Sequence, residues 1–160
     1  MRTAAIFALV LCCAVVKSQQ RADVDLREVL ARFDQGSVAE LVDQLGRCGG
    51  LHQALADSWT VRNDDVFAER ARGAARAAES AATFVLGVQA FEAGVPKPYV
   101  EFRPRVQSSV ERTRSEIQAM IDTNDEPAMR KELAACDAMD PVIRYLVDAI
   151  KTQVRGSGGG

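Results

Sequence analysis

Apolar residues recur along this chain at intervals of three and four, and this spacing constrains the fold more than any other feature. The clearest stripe covers residues 38–59 and consists of Val38, Leu41, Leu45, Cys48, His52, Leu55 and Trp59. Such spacing places side chains on one face of an α-helix, whereas a half-buried strand alternates with a period of two. No segment sustains that alternation, and aromatic residues make up only 6% of the chain. The sequence therefore predicts an all-α fold.

Helix-capping and helix-breaking residues divide the chain into six predicted helices. Ser37 followed by Glu40 forms a capping box that starts the second helix, and Asp140–Pro141 is an N-cap followed by a proline at the first helical position. The other predicted helices cover residues 24–33, 64–93, a segment after the proline-rich connector 95–99, and a short stretch around 129–136. We expect an antiparallel bundle of about four principal helices plus two short ones.

The third predicted helix has an inward face of mainly small residues and an outward face of charged ones. Its inward face is Phe67, Ala71, Ala74, Ala78, Ala81, Val85 and Val88, with Phe84 and Phe91 on the flank. Arg70, Arg72, Arg76 and Glu79 fall outside this face and are most simply solvated. A partner could instead contact Arg70 and Arg76, or Tyr99 and Phe102 at the connector.

The first eighteen residues have the order of a secretion signal. Met1 and Arg2 precede an apolar run over residues 4–16, and Lys17–Ser18 follows. A run of this length is too short for a bilayer core, which requires about 20 residues. We expect cleavage after Ser18, a single helical domain over residues 19–155 and a flexible tail over 156–160. Retention as an uncleaved anchor is an alternative, and lipidation is disfavoured because Leu11 precedes Cys12.

Cleavage would remove Cys12 and Cys13 and leave only Cys48 and Cys136. Two cysteines in an oxidising compartment predict one disulfide, and both lie on apolar helix faces. A redox-active pair is the alternative, but it usually has closely spaced thiols such as Cys-x-x-Cys. We therefore expect a structural bridge in a secreted or periplasmic protein.

Three glycines, Gly46, Gly49 and Gly50, lie within the second predicted helix. Each costs about 1 kcal/mol relative to alanine in a helix interior, so a compensating feature is expected. Either the helix breaks there, or the missing side chains let a neighbouring helix or a ligand approach the backbone. Close helix packing is the interpretation we favour.

His52 is the only histidine of the chain and lies one turn after Cys48. Together with Gly49, Gly50 and Trp59 it forms a candidate ligand pocket, in which the imidazole would bind a ligand, a metal or haem. The structural alternative is a core histidine that is hydrogen-bonded to a carbonyl or carboxylate. We expect no metal and no cofactor, because paired histidine, Glu-x-x-His and four-thiolate motifs are absent. Haem ligation by His52 and one of Met120, Met129 and Met139 is left as an alternative.

Charge argues against nucleic-acid binding. The chain carries 20 basic and 22 acidic residues, and cleavage after Ser18 would remove two of the basic ones and change the net charge from −2 to −4. Such a protein does not attract nucleic acid or anionic lipid strongly. We likewise expect no stable membrane insertion after signal cleavage.

Two functional hypotheses follow from these features. The first is a small exported, non-enzymatic binding or accessory module with a protein partner. The second is a ligand or cofactor carrier with a pocket around His52. An enzyme is disfavoured, because no Gly-x-Ser-x-Gly elbow or metal cluster accompanies the single histidine.

Overall fold

The computed structural model describes residues 24–157, which contain five α-helices, one short 3₁₀ helix and no β-strand. The α-helices are α1 (Leu26–Arg32), α2 (Val38–Val61), α3 (Asp65–Glu92), α4 (Arg103–Asp122) and α5 (Glu126–Ser157), and the 3₁₀ helix is Tyr99–Glu101. The all-α prediction is confirmed. The predicted signal peptide and residues 158–160 of the predicted tail lie outside the described residues. No helix within residues 24–157 combines the length and apolarity needed to cross a bilayer.

Capping hydrogen bonds explain where α2 and α3 begin. The Ser37 hydroxyl accepts a hydrogen bond from the backbone N–H of Glu40 at 3.2 Å, and the Asp64 carboxylate accepts one from that of Phe67 at 3.2 Å. These bonds satisfy backbone donors that have no partner inside the helix. Gly94 follows α3 in the left-handed region at φ 72°, which terminates the helix. The predicted boundaries of α2 and α3 are therefore confirmed.

The prediction that a new helix starts at Asp140–Pro141 is wrong. α5 is continuous through Pro141 and extends to Ser157, two residues into the predicted tail. Its buried face continues on both sides of the proline and consists of Cys136, Met139, Val142, Ile143 and Leu146. Pro141 itself is exposed, so the backbone carbonyl that loses its helical hydrogen bond can bond to water. Tertiary packing thus overrides the local stop signal.

The predicted inward face of α3 is wrong in its first half. Phe67 was expected inside but is 48% exposed, whereas Phe84 was expected on the flank but is only 4% exposed. In the first half of the helix, Ala68 and Ala75 are buried instead of Ala71 and Ala74. The physical reason is that Phe67 lies in the first turn of α3, where its ring stacks on the Trp59 ring at the turn between α2 and α3 instead of entering the core.

The four long helices run alternately up and down. α2 and α3 form an antiparallel hairpin. α4 runs parallel to α2, as shown by the contacts of Gly46 with Ser109 and of Gly50 with Thr113, whose numbers increase in the same direction. α5 then returns antiparallel to α4. α2 is central and packs most extensively against α3 and α4. We call the end with the starts of α2 and α4 the proximal end, and the end with the starts of α3 and α5 the distal end.

Candidate functional site

The glycine face of α2 is filled by its neighbouring helices. A Cβ atom on Gly50 would lie 2.5 Å from the Val110 carbonyl oxygen and 2.7 Å from the Thr113 Cβ, both on α4. On Gly49 it would lie 3.0 Å from a Val110 methyl group and 3.3 Å from the Glu79 Cγ on α3. α2 does not break, so the close-packing interpretation is confirmed. The glycine backbone is covered, and the structure does not bring Gly49 and Gly50 into a pocket.

The predicted pairing of Cys48 with Cys136 is confirmed. The disulfide joins α2 to α5, and the two Cα atoms are 5.3 Å apart. Cys48 is 2% exposed and Cys136 6% exposed, so neither sulfur is accessible to an attacking thiolate. This burial favours a structural bridge over a redox-active one.

His52 is half-buried on α2, next to the disulfide. Burial lowers the pKa of its imidazole below the ordinary value, although the Asp137 and Asp140 carboxylates of α5 act in the opposite direction. No hydrogen bond to the imidazole occurs among residues 24–157. Trp59 lies two turns further along α2 and lines a surface groove that Gly49, Gly50 and His52 do not line, so the structure does not bring the four residues together there.

Because the pKa of His52 is lowered in the folded protein, we expect the free energy of unfolding to fall as the solution becomes acidic. Because its pKa is lower in the folded protein, the unfolded chain binds more protons below the ordinary value of about 6.5. The contribution of the neutral His52 imidazole to the free energy of unfolding is fully present above about pH 6.5 and is lost as the pH falls through that value. We expect the free energy of unfolding of the wild type, minus that of His52→Gln, to decrease between about pH 7 and pH 5. Denaturant titrations at both pH values measure this difference, and a constant difference would contradict the lowered pKa.

Tyr99 and Phe102 contribute to packing at the proximal end. The Tyr99 ring covers Gly87, stacks at 6.0 Å from the Phe84 ring, and its hydroxyl donates a hydrogen bond to Gln153 at 3.5 Å. Phe102 is half-buried against the core. Both rings are half-buried, and their contact with a partner stays a prediction.

The two arginines predicted to contact a partner have different surroundings. Arg76 forms an exposed ion pair with Glu69 at 2.8 Å, which satisfies its charge within the helix. The Arg70 guanidinium lies 5.7 Å from the centre of the Phe67 ring, near the start of α3. Arg70 therefore lies at the distal end against an aromatic ring, whereas the charge of Arg76 is paired with Glu69.

A groove opens at the distal end, where α2 and α4 end and α5 begins. Its volume is about 220 Å³, and it is open to solvent. Its lining residues are Leu55, Ser58, Trp59, Arg62, Met120, Ile121, Asn124, Asp125, Glu126 and Met129. We call this the distal groove. Its floor is apolar, because Leu55, Trp59, Ile121 and the two methionines supply most of the surface.

An apolar ridge stands beside the distal groove on the α2–α3 hairpin. The hairpin ridge consists of Trp59, Val61, Val66 and Phe67, of which Val61 is 83% and Val66 62% exposed. The Trp59 and Phe67 rings stack with centres 5.2 Å apart. The Arg72 guanidinium donates a hydrogen bond to the Thr60 hydroxyl at 2.7 Å and so links α3 to the end of α2. Trp59 thus lines the groove and, through its stacked contact, connects it to the partly exposed Phe67 ring on the hairpin.

Neither a serine–histidine pair nor a metal-ligand cluster is formed within residues 24–157. Ser58 lines the distal groove, but His52 does not, so the two do not form a nucleophile–base pair. Within residues 24–157, no three His, Cys, Asp or Glu side chains are grouped so as to hold a metal ion. The groove itself offers apolar contacts, and its polar lining residues are Ser58, Arg62, Asn124, Asp125 and Glu126.

Trp59 could be singled out from the sequence, but the groove around it could not. The lining comes from three separate segments, and only the folded bundle brings them together. Met120 and Met129, which lie on either side of the predicted helix break, could have indicated the groove. Flexible thioether side chains are common at adaptable binding surfaces. From the sequence, both methionines were candidates for haem ligation.

The chain matches no protein-family model, no curated protein and no solved structure. Its function must therefore be inferred from its own residues.

Proposed function

We propose that this chain is an exported, non-enzymatic binding module that holds a segment of a partner protein in the distal groove. The observation that carries this proposal is the position of Trp59, which lines the groove and stacks on the Phe67 ring of a hairpin that also carries the exposed Val61 and Val66. Exposed apolar surface is energetically unfavourable for an unbound protein, and apolar side chains gathered beside a groove are typical of an interaction site.

The size of the groove favours a protein segment over a small-molecule ligand. Pockets for small molecules usually measure about 300 to 1,000 Å³ and enclose most of their ligand. The distal groove measures about 220 Å³ and is open. It suits one bulky apolar side chain, while the rest of the partner segment lies across the hairpin ridge. A carrier function would require an enclosed cavity, and the filled glycine face of α2 does not supply one.

The lining residues are suited to hold such an anchoring side chain. Met120 and Met129 can adjust to the shape of an inserted group, and Trp59 offers a large aromatic face. Binding free energy at protein interfaces is concentrated where one aromatic or large apolar group fills a desolvated pocket. Trp59 would contact both the inserted side chain and the adjoining segment.

Export is supported by two independent features of the chain. Residues 1–18 have the basic, apolar and small-residue order of a cleaved signal, with cleavage after Ser18. The Cys48–Cys136 bridge is typical of proteins that fold in an oxidising compartment. We therefore propose a secreted or periplasmic location.

Selection from a random peptide library displayed on phage tests the binding proposal. We expect the mature wild-type protein to select peptides with one bulky apolar residue. Met129→Glu, which puts a carboxylate into the groove, should weaken their binding by about tenfold or more, equivalent to about 1.4 kcal/mol. Ala135→Glu places the same charge at an exposed position of α5 and is the matched control. Selection of no peptide, or equal loss in both variants, would contradict the proposal.

A further inference from the structure

Two arginines of the distal end are positioned by aromatic rings. The Arg62 guanidinium lies 5.2 Å from the centre of the Trp59 ring, and that of Arg70 lies 5.7 Å from the centre of the Phe67 ring. Because Trp59 and Phe67 stack on each other, the two positive charges flank one aromatic pair. Arg62 also lines the distal groove.

Neither guanidinium has a carboxylate partner among residues 24–157 that lies within ion-pair distance. The neighbouring arginines differ, since Arg72 and Arg76 bind Glu69 and Arg130 binds Glu126. Arg62 and Arg70 thus retain charge that the protein itself does not neutralise.

The carboxylates of the distal end already have local roles. Asp122 accepts a hydrogen bond from Gln118, Asp125 accepts one from the Ala128 N–H at the start of α5, and Asp64 caps α3. Asp65 lies in the first turn of α3, where a negative charge is favourable. Asp64, Asp122 and Asp125 are thus engaged locally, whereas the guanidinium groups of Arg62 and Arg70 have no carboxylate partner among the described residues.

Stacking leaves these arginines suited to bind a carboxylate. A guanidinium against an aromatic face is held in orientation, yet its N–H donors point outward in its own plane and remain open. A carboxylate can accept two parallel hydrogen bonds from such a group. The fixed orientation also reduces the side-chain entropy lost on binding.

We infer that the partner segment is acidic: it carries carboxylate side chains next to its bulky apolar anchor, and these bind Arg62 and Arg70. This inference rests on the proposed function and specifies the chemistry of the partner. The anchor fills the distal groove, the adjoining backbone crosses Trp59 and Phe67, and the carboxylates reach the two guanidinium groups. Arg62 and Arg70 thereby select for acidic segments among those that have a suitable anchor.

The test uses peptides selected from the same random phage-displayed library and synthesised in two forms, with Glu and Asp retained or replaced by Gln and Asn. We expect the selected peptides to be enriched in acidic residues. Arg62→Gln/Arg70→Gln should weaken binding of the acidic form by about tenfold or more. It should change binding of the amide form little. Arg103→Gln/Arg105→Gln removes the same charge from exposed residues of the proximal end and is the control.

The outcomes separate this inference from the proposed function. Peptides that depend on Met129 but show no acidic enrichment, or that bind Arg62→Gln/Arg70→Gln as tightly as the wild type, would overturn the inference and leave the binding module intact. Equal weakening by the control pair would overturn it as well, because the effect would then be one of net charge alone. Saturable binding of decanoate or of phosphatidylglycerol vesicles, with no peptide selected, would overturn both proposals.

Discussion

Replacing Cys48 and Cys136 together by alanine is expected to lower the free energy of unfolding by about 4 kcal/mol. The bridge joins residues 88 positions apart, and in the chain-entropy model a cross-link of that length restricts the unfolded chain by about 4 to 5 kcal/mol. About 1 kcal/mol corresponds to about 2 to 5 °C for a domain of this size, so the Tm should fall by about 8 to 20 °C.

Thermal unfolding followed by far-ultraviolet circular dichroism measures this effect. Reductant should lower the Tm of the wild type once the bridge is reduced, and it should leave the double alanine variant unchanged. Because both sulfurs are buried, reduction of the native protein should be slow and should accelerate in denaturant. Equal Tm values for the wild type and the variant would show that the bridge does not stabilise the fold.

Replacing Gly50 by alanine is expected to destabilise the protein, although alanine is the better helix former. The gain in helix propensity is about 1 kcal/mol. Against it, the added methyl group would lie 2.5 Å from the Val110 carbonyl oxygen and 2.9 Å from the Arg114 backbone nitrogen. Both atoms belong to the backbone of α4, so the two helices must move apart. Overpacking in a core costs about 1 to 3 kcal/mol, and contacts this close to backbone atoms place the cost at the upper end of that range. After the gain in propensity is subtracted, we expect a net loss of about 2 kcal/mol.

Gly73→Ala is the matched control within the same bundle. Gly73 lies in the interior of α3, and a Cβ atom there would meet nothing within 4 Å. Its substitution should therefore raise the free energy of unfolding by about 0.5 to 1 kcal/mol. Denaturant titrations of both variants should give changes of opposite sign. Stabilisation by both would contradict the close contact between α2 and α4.

Helix starts could be predicted from the sequence because their causes are local. The Ser37 hydroxyl and the Asp64 carboxylate bond to backbone donors three residues away, so the capping pattern is sufficient. Pro141 is the contrasting example, since its effect depends on the rest of the bundle. There, burial of Met139 and Val142 on a continuous face of α5 outweighs the loss of one backbone hydrogen bond.

The candidate site was less accessible to sequence reasoning because it depends on distant contacts. The group that fills the space beside Gly50 is Val110, which lies far away in the chain, so the sequence alone could not distinguish a helix from a ligand there. Likewise, Trp59 was expected on the inward stripe, but its position at the end of α2 leaves it half-buried beside Met129 and Phe67. Only the arrangement of α2, α4 and α5 converts these residues into a groove.

Site-specific photo-cross-linking of the exported protein in its own host tests the central claim most directly. A photoreactive amino acid would replace Val61 on the hairpin ridge or Met129 in the distal groove, with the exposed Val100 and Val154 of the proximal end as controls. We expect Val61 and Met129 to cross-link to one partner protein through an acidic segment that contains a bulky apolar residue, and the two control positions to give no adduct with it. Cross-linking from the proximal positions alone, or from none of the four, would contradict the assignment of the distal groove as the binding site.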